Sequence, residues 1–177
     1  MKATGIVRRI DDLGRVVIPK EIRRTMHIKE GAPLEIFTDT QGGVIFKKYS
    51  PVGELTDITD QYADVLYRSV TMPVIICDRD HAISVAGISK RDFADRRIST
   101  ELEELMEDRS NFIRTQGEKL TPIDGVNHNA AVAVPIISSG DVLGAVVLLS
   151  QEGVQPSQTD LKLAQVAASF IGKQMED

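Results

Sequence analysis

Five arginines near the start of the chain are its side chains best suited to chemistry with another molecule. They are Arg8, Arg9, Arg15, Arg23 and Arg24. A guanidinium is planar and always charged, and its fork of donors can bridge phosphate oxygens or the edge of a guanine base. The same arginines could instead solvate a protein surface and pair with Asp11, Asp12 and Glu21. Charge alone does not choose between a nucleic-acid interface and an ordinary charged surface.

The arginines belong to a basic segment at the start of an otherwise acidic chain. Residues 1–50 contain ten basic and six acidic residues, a net charge of +4. Residues 51–177 contain eleven basic and twenty acidic residues, a net charge of −9. The asymmetry favours an anionic polymer as the partner of the first segment and a different role for the remainder.

The other residue types provide no candidate for catalysis, for a metal site or for a nucleotide-binding loop. His27, His81 and His128 are far apart in the sequence, and Cys77 is the only cysteine. No histidine or cysteine pair therefore has metal-ligand spacing, and no Gly-x-x-x-x-Gly-Lys-Ser/Thr segment is present. Cys77 lies in an apolar run, which favours a buried thiol over a reactive one. We expect no enzyme activity, no catalytic residue and no metal ligand.

The apolar runs are short, and the first residues contain no apolar signal core. The longest runs end at proline or glycine well before the roughly 18 residues that a membrane-spanning helix requires. The sequence therefore predicts a cytoplasmic protein without a membrane partner.

The pattern of the first fifty residues predicts the element order β-β-α-β-β. Pro19 suits the first turn of a helix, and the Gly-Gly pair at 42–43 indicates a hairpin turn. A unit this small buries little apolar surface, so we expect it to dimerise and to place ten arginines on one surface. The predicted elements are strands at 4–10 and 15–18, a helix at 20–27, and strands at 34–37 and 44–46.

This segment resembles the AbrB-type swapped-hairpin DNA-binding domain. The resemblance rests on Thr4-Gly-Ile-Val-Arg8, Asp12-Leu-Gly-Arg-Val-Val-Ile-Pro19, Glu21-Ile-Arg-Arg-Thr25 and Leu34-Glu-Ile36, and it covers nearly all of residues 1–50. It implies that two chains interlace their hairpins into one β-barrel whose common face meets double-stranded DNA. The DNA-binding residues that it implies are Arg8, Arg9, Arg15, Arg23 and Arg24.

The acidic remainder is predicted to be an α+β domain, in which helices flank an antiparallel sheet. A short connector is expected at 51–53. Apolar residues at helical spacing over 54–71 predict a helix that either covers the sheet or pairs with its copy in another subunit. Capping boxes at Thr100-x-x-Glu103 and Ser157-x-x-Asp160 predict two further helices. Hairpins are predicted at 72–86 and 130–149.

This second segment resembles a GAF sensor domain. The resemblance rests on the strand Ala131-Val-Ala-Val-Pro-Ile136, the return Gly140-Asp-Val-Leu-Gly144 and the helix opening Pro156-Ser-Gln-Thr-Asp160. It implies a small-molecule pocket bounded by residues of roughly 88–129. Such a pocket could bind an unidentified effector, or it could be vestigial in a domain that serves only for assembly. We expect no other cofactor.

Together the two resemblances imply a DNA-binding transcription regulator with a DNA-binding domain at 1–53 and a GAF-like sensor or oligomerisation domain at 54–177. The domain order resembles a family of bacterial regulators of late sporulation, which implies activation and repression of forespore genes. The partners implied are double-stranded DNA and the chain itself, as a dimer through 1–53 and a tetramer through helices of 54–177. We expect a nucleoid-associated, cytoplasmic protein.

Two alternatives stay open. Domains like the first also occur in antitoxins, whose C-terminal segment binds a toxin. Such segments are usually short and disordered, so a folded domain of about 120 residues argues against this role. The second alternative is an unrecognised enzyme with a DNA-targeting segment. Against this alternative, the sequence contains no candidate nucleophile and no candidate set of metal ligands.

Overall fold

The computed structural model describes residues 4–176 and divides the chain into two compact units, Met1–Tyr49 and Ser50–Asp177. The first predicted domain begins at residue 1 and the second ends at residue 177. Residues 1–3 and 177 lie outside the described residues. Both units contain antiparallel strands and helices, which confirms the predicted α+β class.

The first unit contains one short helix and one hairpin. Helix α1 (Lys20–Thr25) follows Pro19, and strands β1 (Leu34–Thr38) and β2 (Val44–Lys48) pair antiparallel. The Oδ1 atom of Asp39 closes the hairpin turn, because it accepts hydrogen bonds from the amides of Gln41 (2.9 Å) and Gly43 (2.7 Å). The predicted hairpin is confirmed.

The two predicted strands at 4–10 and 15–18 are not formed as strands within the single chain. The segments meet only at a tight turn, in which the amide of Asp11 donates to the carbonyl of Arg15 at 3.0 Å. A strand is stabilised by a hydrogen-bonded neighbour and by cover over its apolar face. No segment among residues 4–49 provides either to these segments, and Val7 and Val17 remain 89% and 71% exposed.

The first unit has almost no core of its own. Among its described residues, 4–49, only Pro19 is buried. Large apolar side chains at many positions of the unit face solvent. They include Ile6, Val7, Ile10, Leu13, Val16, Val17, Met26, Ile36, Phe37, Val44 and Phe46.

The second unit is built on a five-stranded antiparallel sheet with the order β4-β3-β7-β6-β5. Its strands form the two predicted hairpins, with a two-residue strand added at one edge. Their bounds are β3 Val74–Cys77, β4 Ala82–Ala86, β5 Phe112–Ile113, β6 Ala130–Ser138 and β7 Asp141–Leu149.

Helices and loops cover both faces of this sheet. On one face, helices α2 (Pro51–Glu54), α3 (Thr56–Val70) and α6 (Gln158–Lys173) pack against alternate strand residues such as Ile76 and Val146. On the other face, helices α4 (Lys90–Phe93) and α5 (Thr100–Glu107), together with the irregular segment 114–129, pack against the intervening residues. This alternation follows from the two-residue period of a strand.

Two local predictions need correction. The expected connector at 51–53 is helix α2, whose Val52 is fully buried in the core of the second unit. The N-cap of α5 is Ser99 and not Thr100, because the Ser99 side chain accepts the amide of Leu102 at 3.1 Å. The capping box of Ser157 and Asp160 at the start of α6 is confirmed.

Candidate nucleic-acid interface

The structure places all five candidate arginines at the surface of the first unit. Arg8 and Arg9 precede the turn at 11–15, Arg15 closes it, and Arg23 and Arg24 lie in the last turn of α1. Every one of these guanidiniums is therefore accessible to a ligand.

Arg15 is the candidate whose orientation is fixed. Its Nε donates a hydrogen bond to Oδ2 of Asp11 at 2.8 Å. The other oxygen of that carboxylate, Oδ1, accepts the amides of Arg15 (2.7 Å) and Leu13 (3.0 Å). The backbone N–H of Arg15, followed by its guanidinium, lowers the pKa of the Asp11 carboxyl below its ordinary value.

Arg23 and Arg24 are held by helix geometry. The amide of Arg23 donates to the carbonyl of Pro19 at 3.0 Å, which forms the first turn of α1. Pro19 is the one residue among 4–49 that is buried. The helix ends at Thr25 with Met26 as its C-cap. His27 follows with a left-handed φ of 51°, and the amide of Ile28 returns to the carbonyl of Arg23 at 2.8 Å. Two arginines in the last turn also suit the negative end of the helix dipole.

The remaining guanidiniums have no acidic partner in the described part of the chain. No hydrogen bond or ion pair joins Arg8, Arg9, Arg23 or Arg24 through their side chains to another residue of 4–176. Of the three acidic residues that the sequence offered as partners, Asp11, Asp12 and Glu21, only Asp11 forms an ion pair with one of these arginines among the described residues. The unit therefore presents four exposed guanidiniums that no described acidic side chain neutralises, which suits a polyanion.

Sequence reasoning did not find two features of this surface. The first is the double role of Asp11, for which the segment Asp11-x-x-Gly14-Arg15 was the available signal. The second is Lys47, whose Nζ lies 4.6 Å from the centroid of the Phe37 ring. This cation–π contact across the hairpin depends on strand register, which a count of charges does not reveal.

In the second unit, the face of the sheet that was predicted to bound a pocket carries packed apolar side chains. Phe93, Leu102 and Ile123 are buried there with Cys77, and burial raises the pKa of the Cys77 thiol, an effect increased by the neighbouring carboxylate of Asp78. The predicted burial of this cysteine is confirmed. Binding of a small molecule between the sheet and residues 88–129 stays a prediction.

His128 is held in a structural position on the same face. Its Nε2 lies 3.1 Å from the carbonyl oxygen of Ser150. Its ring meets Phe93 edge-on, with 5.9 Å between centroids.

Helix α6 presents a shallow groove on its outer side. Phe170 of this groove stacks on Tyr62 of α3, with 5.1 Å between ring centroids. Val65 on α3 and Val166 on α6 are also mostly exposed. The groove is lined by Lys162, Gln165, Val166, Ser169, Phe170 and Lys173.

The described chain holds neither a metal-binding cluster nor a membrane-spanning helix. Between residues 4 and 176, no group of three or more His, Cys, Asp or Glu side chains is placed to hold a metal ion. No helix in that range is both long and apolar enough to cross a membrane.

Two family profiles match the two parts of the chain. Residues 54–176 match the family described as stage V sporulation protein T C-terminal, transcription factor. Residues 7–53 match the family described as antidote-toxin recognition MazE, bacterial antitoxin.

Characterised proteins and solved structures agree with this division. Stage V sporulation protein T of Bacillus subtilis (strain 168) is 49% identical over 178 residues, which cover 99% of each chain. The transition state regulatory protein AbrB of the same strain is 52% identical over 63 residues, 32% of this chain and 65% of AbrB. The GAF domain of the Acinetobacter phosphoenolpyruvate-protein phosphotransferase has a TM-score of 0.51 at 9% identity, over 73% of this chain and 84% of that one. An AbrB-type first part and a GAF-like second part are thereby confirmed.

Proposed function

The chain belongs to the stage V sporulation protein T family of transcription factors, and we propose that it binds double-stranded DNA through its first unit to control late, forespore-specific sporulation genes. It activates some of these genes and represses others, in the cytoplasm and at the nucleoid. The observation that carries this proposal is the exposure of five arginines on one small unit, four of them without an acidic partner among the described residues.

The DNA-binding form in this proposal is a dimer of first units. Val7, Val17, Ile36 and Val44 are each at least 60% exposed, and among residues 4–49 only Pro19 is buried. Covering such side chains with a second copy stabilises by about 25 cal/mol for each Å² of apolar surface removed from water. The exchanged partner would also supply the neighbours that the segments 4–10 and 15–18 need in order to form strands.

Binding in this account is chiefly electrostatic. Arginines contact phosphates and release condensed counterions, which makes the affinity fall steeply as salt rises. Selectivity comes largely from the shape and deformability of the DNA, to which oriented arginines respond. The protein acts by binding and assembly, without a catalytic step.

The GAF-like domain, for which we propose the bounds 54–177 after a DNA-binding domain at 1–53, joins two such dimers into a tetramer. The outer faces of α3 and α6 carry Val65, Val166 and Phe170, which are 60%, 58% and 41% exposed. Pairing these faces between subunits would bury these three apolar side chains. A tetramer carries two DNA-binding dimers and gains affinity through avidity.

Replacement of single arginines tests the DNA-binding proposal. Arg15→Ala and Arg23→Ala should each weaken binding of the full chain to duplex DNA. Each should also make the slope of log affinity against log salt shallower, by about one unit for every phosphate that is no longer neutralised. The thermal midpoint should stay unchanged, because both side chains are exposed. Arg91→Ala, at an exposed position of α4 in the second unit, is the matched control and should bind as the wild type does. Unchanged DNA affinity in both variants would overturn the assignment.

The match of residues 7–53 to an antitoxin family supports a second candidate, in which the chain neutralises a toxin. Against it stands the folded second unit, with its five-stranded sheet. Isolation of the full chain from its native cells distinguishes the two. A toxic protein bound in stoichiometric amount would favour the antitoxin, whereas promoter DNA recovered by crosslinking without such a protein would favour the regulator.

A further inference from the structure

We propose that Asp11 is a positioning residue, which holds the Arg15 guanidinium in the orientation that reads DNA. The inference rests on the proposed function, because it concerns how one arginine of the DNA-binding face is prepared for its partner. It concerns residues whose contacts lie within five positions of the chain, so it does not depend on how the two units or two copies are arranged.

The two oxygens of the Asp11 carboxylate accept different hydrogen bonds. Oδ1 closes the turn, since it accepts the amides of Leu13 at 3.0 Å and Arg15 at 2.7 Å. Oδ2 takes no part in the turn and accepts the Nε–H of Arg15 at 2.8 Å. The guanidinium is therefore attached to the turn through its Nε edge, and its two terminal nitrogens remain available to a ligand.

A second turn in the same unit shows that the guanidinium contact is not required to close such a turn. Oδ1 of Asp39 accepts the amides of Gln41 (2.9 Å) and Gly43 (2.7 Å), at the same spacing of two and four residues. That hairpin turn is complete although Gly43, which occupies the place of Arg15, has no side chain. The contact of Oδ2 with Arg15 is thus an addition to the turn, and its effect is to fix the arginine.

A carboxylate on this surface weakens the attraction to DNA, and the orientation that it gives to Arg15 offsets this loss. An acidic side chain among arginines lowers the attraction to a polyanion. Its benefit is that Arg15 loses rotamer freedom before binding, so less entropy is lost when the complex forms. An arginine with a fixed fork can also discriminate between bases or groove shapes, whereas a freely rotating one contributes mainly charge.

The test compares Asp11→Asn with Asp12→Asn in the full chain. An asparagine at position 11 keeps an Oδ1 acceptor for the two amides but places an NH₂ donor against the Nε–H donor of Arg15. Asp12 is exposed, forms no hydrogen bond or ion pair with another described residue, and gives the same change in charge. The probes are a duplex selected by the wild type from a random library and a scrambled duplex of the same length and composition.

Both variants should bind the scrambled duplex as tightly as the wild type or several-fold more tightly, because each loses a negative charge. Asp12→Asn should keep the wild-type ratio of affinities for selected over scrambled duplex. Asp11→Asn should lose roughly tenfold of this ratio, the order expected for one well-oriented arginine contact. Retention of the full ratio by Asp11→Asn would overturn the proposal.

A double-mutant cycle separates positioning from a merely structural role. Arg15→Lys keeps the charge but removes the fork, so it should lose the same discrimination as Asp11→Asn. The double variant should lose no more discrimination than either single variant, because both substitutions remove the same contact between Asp11 and the Arg15 guanidinium. Independent, additive losses would contradict the coupling. A wild type that binds no duplex would instead refute the proposed function.

Discussion

The arginines of the first unit differ in how far each is fixed before a partner binds. Arg15 is tied to Asp11, whereas the side chains of Arg8 and Arg9 contact no other described residue through a hydrogen bond or ion pair. An interface of this composition combines one oriented contact with several adaptable charges. Such a mixture allows general attraction to any duplex together with limited discrimination among duplexes.

The turn around Asp11 should respond to acid. The Arg15 amide and guanidinium lower the pKa of the Asp11 carboxyl below its ordinary value of 3.8. Because the folded-state pKa is the depressed one, the stabilisation is complete above the unfolded value and is lost as the pH falls through the folded value. In an NMR titration, the amide shifts of Leu13 and Arg15 should change with a common midpoint below 3.8. A midpoint at or above that value would contradict this account, and Asp11→Asn should abolish the transition.

At this scale the sequence predicted the residue types but not their pairings. The burial of Cys77 followed from its apolar neighbours and is confirmed. Sequence reasoning did not distinguish Asp11 from Asp12 as the partner of Arg15. The pairing depends on the turn conformation that Gly14 permits with its φ of 75°, for which the spacing Asp11-x-x-Gly14-Arg15 was the signal.

At the scale of elements, the strands that failed to form are as informative as those that did. The hairpin of β1 and β2 contains its own partner strand and turn, so its local pattern was sufficient. The patterns at 4–10 and 15–18 indicate strands just as clearly, but their cover is absent among residues 4–49. Periodicity reports what a segment needs to bury, and it does not say which chain provides the cover.

The start of α5 offers a test of a single cap. Ser99→Ala should destabilise the second unit by about 1 kcal/mol, because the amide of Leu102 loses its acceptor. Thr100→Ala, one residue along, is the matched control and should change stability little, since Thr100 is exposed and lies inside the helix. Chemical denaturation of the full chain measures both. An equal loss in the two variants would place the cap elsewhere.

At the scale of the molecule, charge and apolar surface are both divided between the two units. The first fifty residues carry +4 and the remainder −9, so the acidic part is repelled by the DNA that attracts the basic part. Exposed apolar side chains occur throughout the first unit and along the outer sides of α3 and α6. In the proposed tetramer, two separate self-contacts, one in each unit, would cover both sets of side chains.

A charge placed on the α6 groove tests this assembly. Val166→Asp should convert the proposed tetramer into a dimer in sedimentation experiments, because Val166 is 58% exposed in the single chain and would be buried between subunits. The exposed loop variant Gln116→Asp carries the same added charge and should leave the tetramer intact. A wild type that sediments as a dimer at working concentration would contradict this part of the account.

The measurement that tests the central claim most directly is equilibrium binding of the full chain to duplex DNA across a salt series. If six to ten phosphates are contacted, the affinity should fall linearly on a logarithmic plot by about 10³–10⁵ between about 50 and 200 mM salt. Such a slope is the one expected if several arginines of the basic first unit each neutralise a phosphate of the DNA backbone. Failure to bind any duplex at the lowest salt, or an affinity that salt leaves unchanged, would contradict the account.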